Sequence, residues 1–366
     1  MLTDLKVKVG PQFYRYHVGA IDFVPELLTE FSAKNVLIVH GGISFEKAKP
    51  FLRFLNDSAY HFHFLRYTGE CSYYGAERIS NVVKEAQIDF IIGVGGGKLT
   101  DLVGYAAHTL NVNFGVIPTL ASNCAPWTPL SVMYKENGES EGRSEHFLRQ
   151  ASFFITDPEL VVTAPAKYFI AGLADTIAKW YESEAILAQE HLLNEPFLQV
   201  AGYTAKLCKT AIMKDSSKAI KDMEAGEATE EFIHLSEIVF GVAGLVGGLG
   251  DKYARNAIAH AMHDGMSKFI PESHDFLHGE KVAYGIFYQL AVEKKWDQID
   301  ELIPFYQELQ LPMSLTQMGL FPAEEVIDKI VAFVDSKEKV HLVPIPMTNE
   351  LLKESIIELE NYINKS

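Results

Sequence analysis

Four residues, one before the middle of the chain and three well after it, have the types and spacing to hold a metal ion. His260 and His263 lie three apart in an apolar helical pattern, so they share one helix face. His278 opens the next helical pattern, in Leu277-His278-Gly279-Glu280-Lys281. Asp175 sits inside the apolar segment Phe169–Ile177, where a lone carboxylate is costly to bury and needs a partner. Taken singly, each has a simpler reading: a hydrogen-bonded core or surface imidazole for each histidine, and an i,i+4 ion pair with Lys179 for Asp175. Taken together, one acid and two or three histidines on helices of one domain suggest a divalent site. Three protein ligands would leave a position open for a substrate oxygen.

A second candidate is Gly93-Val94-Gly95-Gly96-Gly97-Lys98, which follows a predicted strand and precedes a helical pattern from about Thr100. Glycines there let backbone N–H groups approach a phosphate at a helix N-terminus. The dinucleotide fingerprint G-x-G-x-x-G fails, because Lys98 takes the third glycine position. The kinase-type loop fails too, because Ile92 and Leu99 stand where glycine and Ser/Thr belong. A tight strand-to-helix turn and a pyrophosphate cradle of another type both remain open. Thr119 and Ser122, just past the next strand, could add hydroxyls from the neighbouring loop at the strands' carboxyl ends.

The elements that must position these groups fall into two styles. Up to Thr156, apolar strands (Asn35–His40, 60–67, 89–93, 112–117) alternate with helical patterns (23–31, 45–55 with Pro50 interrupting, 76–86), as in a parallel sheet of βαβ units. Leu130–Tyr134, a turn at 136–139 and Phe153–Thr156 read as a hairpin. Beyond Asp157-Pro158, long helical patterns dominate (166–187, 197–214, 230–246, 253–269, 278–296, 322–334, 349–363). The expected fold is α/β plus all-α: a Rossmann-like dinucleotide-binding domain over 1–162 and a helical metal and substrate domain over 163–366. With Lys+Arg 32 and Asp+Glu 48, the net charge of −16 disfavours nucleic acid and anionic membranes as partners. The longest apolar stretch, about 238–250, is short and glycine-rich for a bilayer span. Met1–Lys6 lacks the apolar core of a signal peptide, and the three cysteines lack CxxC spacing. A cytoplasmic protein with reduced thiols is the expectation.

The motifs, in their order and spacing, resemble the glycerol dehydrogenase-like branch of the iron-containing alcohol dehydrogenase superfamily. The similar segments are Gly93–Lys98 with Asp101, Pro118–Ser122, Leu130–Tyr134, Ala171–Asp175, His260–Gly265 and His278–Val282, spread over essentially the whole chain. The resemblance implies a dehydroquinate synthase-like fold with its site in the cleft between two domains, and a homo-oligomer. It implies metal ligation by Asp175, His260 and His278. It places Gly95, Gly96, Gly97, Lys98, Asp101, Thr119, Ser122, Thr128, Leu130 and Tyr134 at the nicotinamide dinucleotide, with His263 on the substrate side as a proton relay. Many iron-containing relatives carry a fourth ligand, a histidine one turn after the aspartate. Lys179 stands there, which favours a three-residue site and zinc over iron.

Three departures bear on specificity. Glycerol dehydrogenases usually have Ser-Thr-Asp-Ala-Pro in the loop; this chain has Ser122-Asn123-Cys124-Ala125-Pro126, with a thiol in place of the carboxylate. Arg255, in Gly250–Arg255, adds a cation ahead of His260, and Lys179 is a second. Their simpler readings are a helix-capping or surface ion pair and a salt bridge to Asp175. The pattern resembles hydroxycarboxylate dehydrogenase members, so the expected substrate is a small 2-hydroxy acid/2-oxo acid pair, with glycerol or another polyol as the alternative. NAD-preferring members place an aspartate after the second strand. Gly41 stands there, and Ser44 or Lys47 could contact a 2′-phosphate, so NADP is expected to serve at least as well as NAD; a glycine turn without cofactor meaning is the simpler reading. A dehydroquinate synthase-like lyase and a non-catalytic binder are the readings from other classes.

Overall fold

The apolar runs predicted as strands lie side by side in one parallel sheet, seen in a computed structural model that describes residues 2–365. Its strands are β1 (Tyr14–Tyr16), β2 (Asn35–His40), β3 (His61–Arg66), β4 (Phe90–Gly95), β5 (Asn113–Pro118) and β8 (Phe153–Thr156), in the order β1-β8-β5-β4-β2-β3. Every residue of β4 is buried, as are the four central residues of β2, because helices cover both faces. Helices α1 (Val24–Glu30), α2 (Ile43–Ala48), α3 (Tyr73–Glu85) and α4 (Gly97–Leu110) connect them. The chain leaves β2 toward the β3 edge and leaves β4 toward β5. The carboxyl ends of β2 and β4 therefore flank a topological switch point.

The predicted hairpin is corrected. β6 (Leu130–Tyr134) pairs antiparallel with β7 (Ser140–His146), whereas β8 enters the main sheet between β5 and β1. β8 reads Phe-Phe-Ile-Thr and is wholly buried, which suits a strand covered on both faces. The 45–55 helical pattern is cut into α2 and two 3₁₀ turns, Lys49–Phe51 and Arg53–Asn56, since Pro50 lacks the donor that would extend the helix.

Beyond β8 the described chain is helical: α5 (Pro158–Val161), α6 (Ala166–Leu187), α7 (Pro196–Glu224), α8 (Glu230–Glu237), α9 (Ala243–Gly250), α10 (Ile258–Phe269), α11 (His278–Val292), α12 (Trp296–Glu308), α13 (Glu324–Asp335) and α14 (Asn349–Ile363). A π-helical turn, Ile238–Val242, joins α8 to α9. The run Glu230–Tyr253 is long and apolar enough to cross a membrane, yet 72% of its most apolar window is buried in the protein. The pattern over 253–269 is not one helix: a 3₁₀ turn, Asp251–Tyr253, ends before Ala254, and α10 starts only at Ile258.

Two compact units result. One holds Lys8–Phe169 and Lys218–Gly244; the other holds residues 2–7, Ile170–Ser217 and 245–365. The stretch Lys218–Gly244, assigned from sequence to the helical domain, thus belongs with the sheet. Aromatic packing and hydrogen bonds explain this: Phe240 meets Phe154 at 5.1 Å, Tyr14 Oη donates to Glu237 at 2.6 Å, and Tyr16 Oη bonds Ser236 Oγ at 2.8 Å. Trp127 fills a slot floored by glycines, where a Cβ on Gly244 would lie 2.6 Å from its ring.

Candidate metal centre and nucleotide turn

Backbone proximity in the helical unit brings three distant side chains together. A Cβ on Gly279 would fall 1.8 Å from the Ala171 carbonyl oxygen, and one on Gly285 would fall 2.4 Å from that of Ala259. With only hydrogen at those positions, α11 presses against α6 and α10. His278, next to Gly279, then meets Asp175, one turn past Ala171, and His260, next to Ala259. Asp175 Oδ1 is 3.1 Å from His260 Nε2 and 3.4 Å from His278 Nε2. The three donor atoms all lie within 4.8 Å of one another. Asp175 and His260 are buried, while the His278 side chain is 37% exposed, which leaves the cluster open on one side. One carboxylate oxygen and two imidazole nitrogens at this spacing fit a divalent cation with room for a further ligand.

Glu182, which sequence reasoning missed, secures this arrangement. Its fully buried carboxylate lies two turns after Asp175 on α6, the only sequence signal it gave. Oε2 is 2.6 Å from His260 Nδ1, and Oε1 accepts from the backbone N–H groups of Ala257 at 2.6 Å and His260 at 2.9 Å. Gln289 Oε1 accepts from Ile258 N at 3.1 Å and Ala259 N at 3.2 Å. α10 has no capping side chain of its own; its first N–H groups are satisfied from two other helices. A carboxylate at Nδ1 fixes the tautomer that leaves Nε2 available to a cation. Burial raises the Asp175 carboxyl, but Lys179 and the two imidazoles outweigh it and hold the group well below its ordinary range. Glu182 is likewise lowered against its burial, by His260 and Lys179.

His263 is buried, with its ring centroid 4.3 Å from that of His278 and Nδ1 3.1 Å from Asp264 Oδ1. Burial, then the neighbouring His278, pushes its pKa down to about 3, so it is neutral at ordinary pH. Lys179 is buried one turn after Asp175. Arg255 does not share the helix of His260 as expected. It lies in the link before α10, where Nη2 donates to the Gly247 carbonyl at 2.8 Å and lies 3.8 Å from Asp251 Oδ1.

In the sheet unit, the glycine turn lies where β4 ends between β2 and β5. Val94 is level with His40, and Gly95 with Pro118. Gly96 is extended and α4 starts at Gly97; Leu99 N and Thr100 N donate to Gly96 O at 3.1 Å, and the N–H groups of Gly97 and Lys98 precede these first bonds. A Cβ on Gly97 would lie 2.5 Å from Asn123 Oδ1, so the turn packs directly on the loop that carries Ser122 and Cys124. Both of those side chains are half-buried, as is Thr128, and the Cys124 thiol forms no disulfide. Thr119 N donates to Gly95 O at 3.1 Å, and its hydroxyl is buried with no partner. An orphaned buried hydroxyl beside a glycine turn suits a phosphate-bearing ligand. Lys98 pairs with Glu70 at 2.6 Å. Asp101 is buried: Oδ2 accepts from Val132 N at 2.9 Å, its carbonyl accepts from the Ser131 hydroxyl at 2.6 Å, and Oδ1 has no partner among the described residues. It therefore props up β6, which carries Leu130 and Tyr134. Burial pushes its carboxyl up to about 7. At the end of β2, a Cβ on Gly41 would lie 3.0 Å from Ser44 Oγ, and Lys47 Nζ is bonded to the Thr163 carbonyl.

Comparison with known proteins finds relatives along the whole chain. The family described as iron-containing alcohol dehydrogenase matches residues 11–158. Hydroxycarboxylate dehydrogenase A of Escherichia coli is 31% identical over 98% of this chain and 99% of its own. A glycerol dehydrogenase of Thermotoga maritima is 29% identical over 93% of each chain. The crystal structure of a probable glycerol dehydrogenase from Sinorhizobium meliloti superposes with a TM-score of 0.87 at 25% identity, covering 99% of this chain and 100% of that one.

Proposed function

Because the chain belongs to the iron-containing alcohol dehydrogenase family, as a relative 31% identical over 98% of its length shows, we propose that it is a zinc-dependent, NADP-linked enzyme interconverting a small 2-hydroxy acid and its 2-oxo acid. That it is an oxidoreductase acting on CH–OH groups follows from the family, whose members use a nicotinamide dinucleotide and a divalent metal. The lyase and the non-catalytic readings are thereby set aside. The metal dependence in this reading is carried by the convergence of Asp175, His260 and His278 on one half-open point.

Those three residues would hold the ion. When bound, it supplies Lewis-acid polarisation of the substrate oxygen. The chain's own groups do the rest. Glu182 orients His260. His263, neutral and beside His278, offers a proton path on the substrate side. The turn at Gly95–Lys98, with Thr119, Ser122, Thr128, Leu130 and Tyr134, binds and orients the dinucleotide. Zinc is supported by Lys179 standing where iron-binding members carry a fourth ligand. An acidic substrate is supported by Cys124 in place of a loop carboxylate, by the buried cation of Lys179, and by the relative named a hydroxycarboxylate dehydrogenase. Arg255 is the weaker clamp, since it must leave the Gly247 carbonyl to reach a ligand. A polyol is the second reading, favoured by the glycerol dehydrogenase relatives. The protein is proposed as a cytoplasmic homo-oligomer without nucleic-acid or membrane partners.

The test is kinetic. Reduction of 2-oxobutyrate or 2-oxoglutarate with NADPH should exceed glycerol oxidation at least tenfold in kcat/KM. Faster glycerol oxidation would contradict the acid reading. Arg255→Ala should raise KM for the 2-oxo acid more than for a neutral ketone if Arg255 reads the carboxylate; equal changes would leave Lys179 as the clamp.

A further inference from the structure

We propose that Arg66 is the residue that reads the 2′-phosphate of NADP(H); this inference rests on the reading of the sheet end as an NADP site. Arg66 is the last residue of β3 and is level with His40, the last residue of β2. His40 is in turn level with Val94 of β4. Gly41-Gly42 thus follows about one strand spacing, ~4.8 Å, from the glycine turn, and Arg66 stands one strand further out. A dinucleotide with its pyrophosphate at Gly95–Lys98 extends its adenosine ribose past the end of the neighbouring strand. The four residues Gly41-Gly42-Ile43-Ser44 carry no carboxylate to accept the ribose hydroxyls or repel a phosphate, and Glu46 in the first turn of α2 is paired with Lys49.

Arg66 covers this end. A Cβ on Gly42 would fall 3.1 Å from Arg66 Nη2, so the guanidinium rests on bare backbone at the point where the ribose is expected. The side chain is exposed, and among the described residues its guanidinium has neither a hydrogen bond nor a carboxylate partner. The other two cations at this end are engaged, Lys47 by the Thr163 carbonyl and Lys49 by Glu46 at 2.7 Å. A planar guanidinium offers paired N–H donors that match a phosphate, and the Ser44 hydroxyl, close above Gly41, offers another. The cation that sequence reasoning sought in Lys47 is therefore supplied from the adjacent strand.

Fluorescence titration of the full chain with NADPH and with NADH isolates the 2′-phosphate, the one group in which they differ. The unmodified protein should bind NADPH at least as tightly as NADH. Arg66→Ala should raise the NADPH Kd tenfold or more and change the NADH Kd less than twofold, and Arg66→Lys should recover part of the loss. Unchanged NADH binding also reports that the variant is folded. If the unmodified protein favours NADPH but Arg66→Ala shifts neither Kd, or both equally, Arg66 is not the reader and the NADP site stands without it. If the unmodified protein binds NADH tenfold more tightly, both this inference and the NADP reading are overturned.

Discussion

The metal cluster and the nucleotide turn are built by opposite means. At the cluster, buried side chains do the work. Asp175, His260 and Glu182 are held among apolar helices and compensate one another's charge, and the glycines at 279 and 285 bring their helices into contact. At the turn, backbone does the work. Glycines and a helix start face the ligand, and the charged side chains around it, Arg66 and Lys98, lie on the surface. Substitution of the buried groups in the first region should therefore cost metal and fold together, while the half-exposed His278 can lose metal alone. Substitution in the second should change which ligand binds while leaving the fold intact.

The largest effect tests the first half of that contrast. Gly279→Val would place side-chain carbons where the Ala171 carbonyl already sits, a clash with backbone that no rotamer relieves. We expect little folded protein, and for Gly279→Ala a lowered Tm with zinc affinity down at least 100-fold. Full metal content in Gly279→Ala would show that the close approach of α11 to α6 does not set the ligand geometry.

Glu182→Gln should have a smaller effect with a more specific signature. The amide keeps an oxygen for the Ala257 and His260 N–H groups but removes the anion at His260 Nδ1. Outer partners of this kind change metal affinity by roughly 10–100-fold. Chelator competition measures it; an unchanged zinc Kd would show that Glu182 only caps α10.

Asp101→Asn sharpens the comparison through its pH dependence. The Asp101 carboxyl is pushed from 3.8 up to about 7 by burial. A group with a raised acid pKa in the folded state costs stability as pH climbs from its unfolded value through its folded one. Asparagine keeps an oxygen for the Val132 N–H, so the variant should gain several degrees in Tm above pH 7 and almost nothing near pH 4. The sign is reversed for Asp175 and Glu182 in the metal-free protein. Their carboxyls are lowered from 3.8 and 4.5, so their contribution is full above about pH 4.5 and fades as pH falls below it. Equal Tm shifts for Asp101→Asn at both pH values would contradict the burial argument.

Much of the architecture was legible because β2, β4, β5 and β8 are continuous apolar runs and the later helices carry a clear period. The failures have physical causes. Ser140–His146 is polar on both faces, so its pairing with β6 left no hydrophobic trace. The start of α10 was misplaced because its caps, Glu182 and Gln289, come from other helices and are invisible locally. Glu182 escaped notice for the same reason, being one acid among many until folding places it on His260. Lys218–Gly244 looked like part of a helical domain because helicity does not reveal the unit on which a helix packs. Arg66 carried no motif at all; strand register alone brings it to Gly42.

The central claim is that Asp175, His260 and His278 form one divalent metal site. Its most direct test is elemental analysis of the purified, zinc-equilibrated chain alongside His278→Ala. The account predicts about one zinc per unmodified chain and almost none in the variant, with both proteins folded. Equal metal content in the two, or none in either, would contradict it.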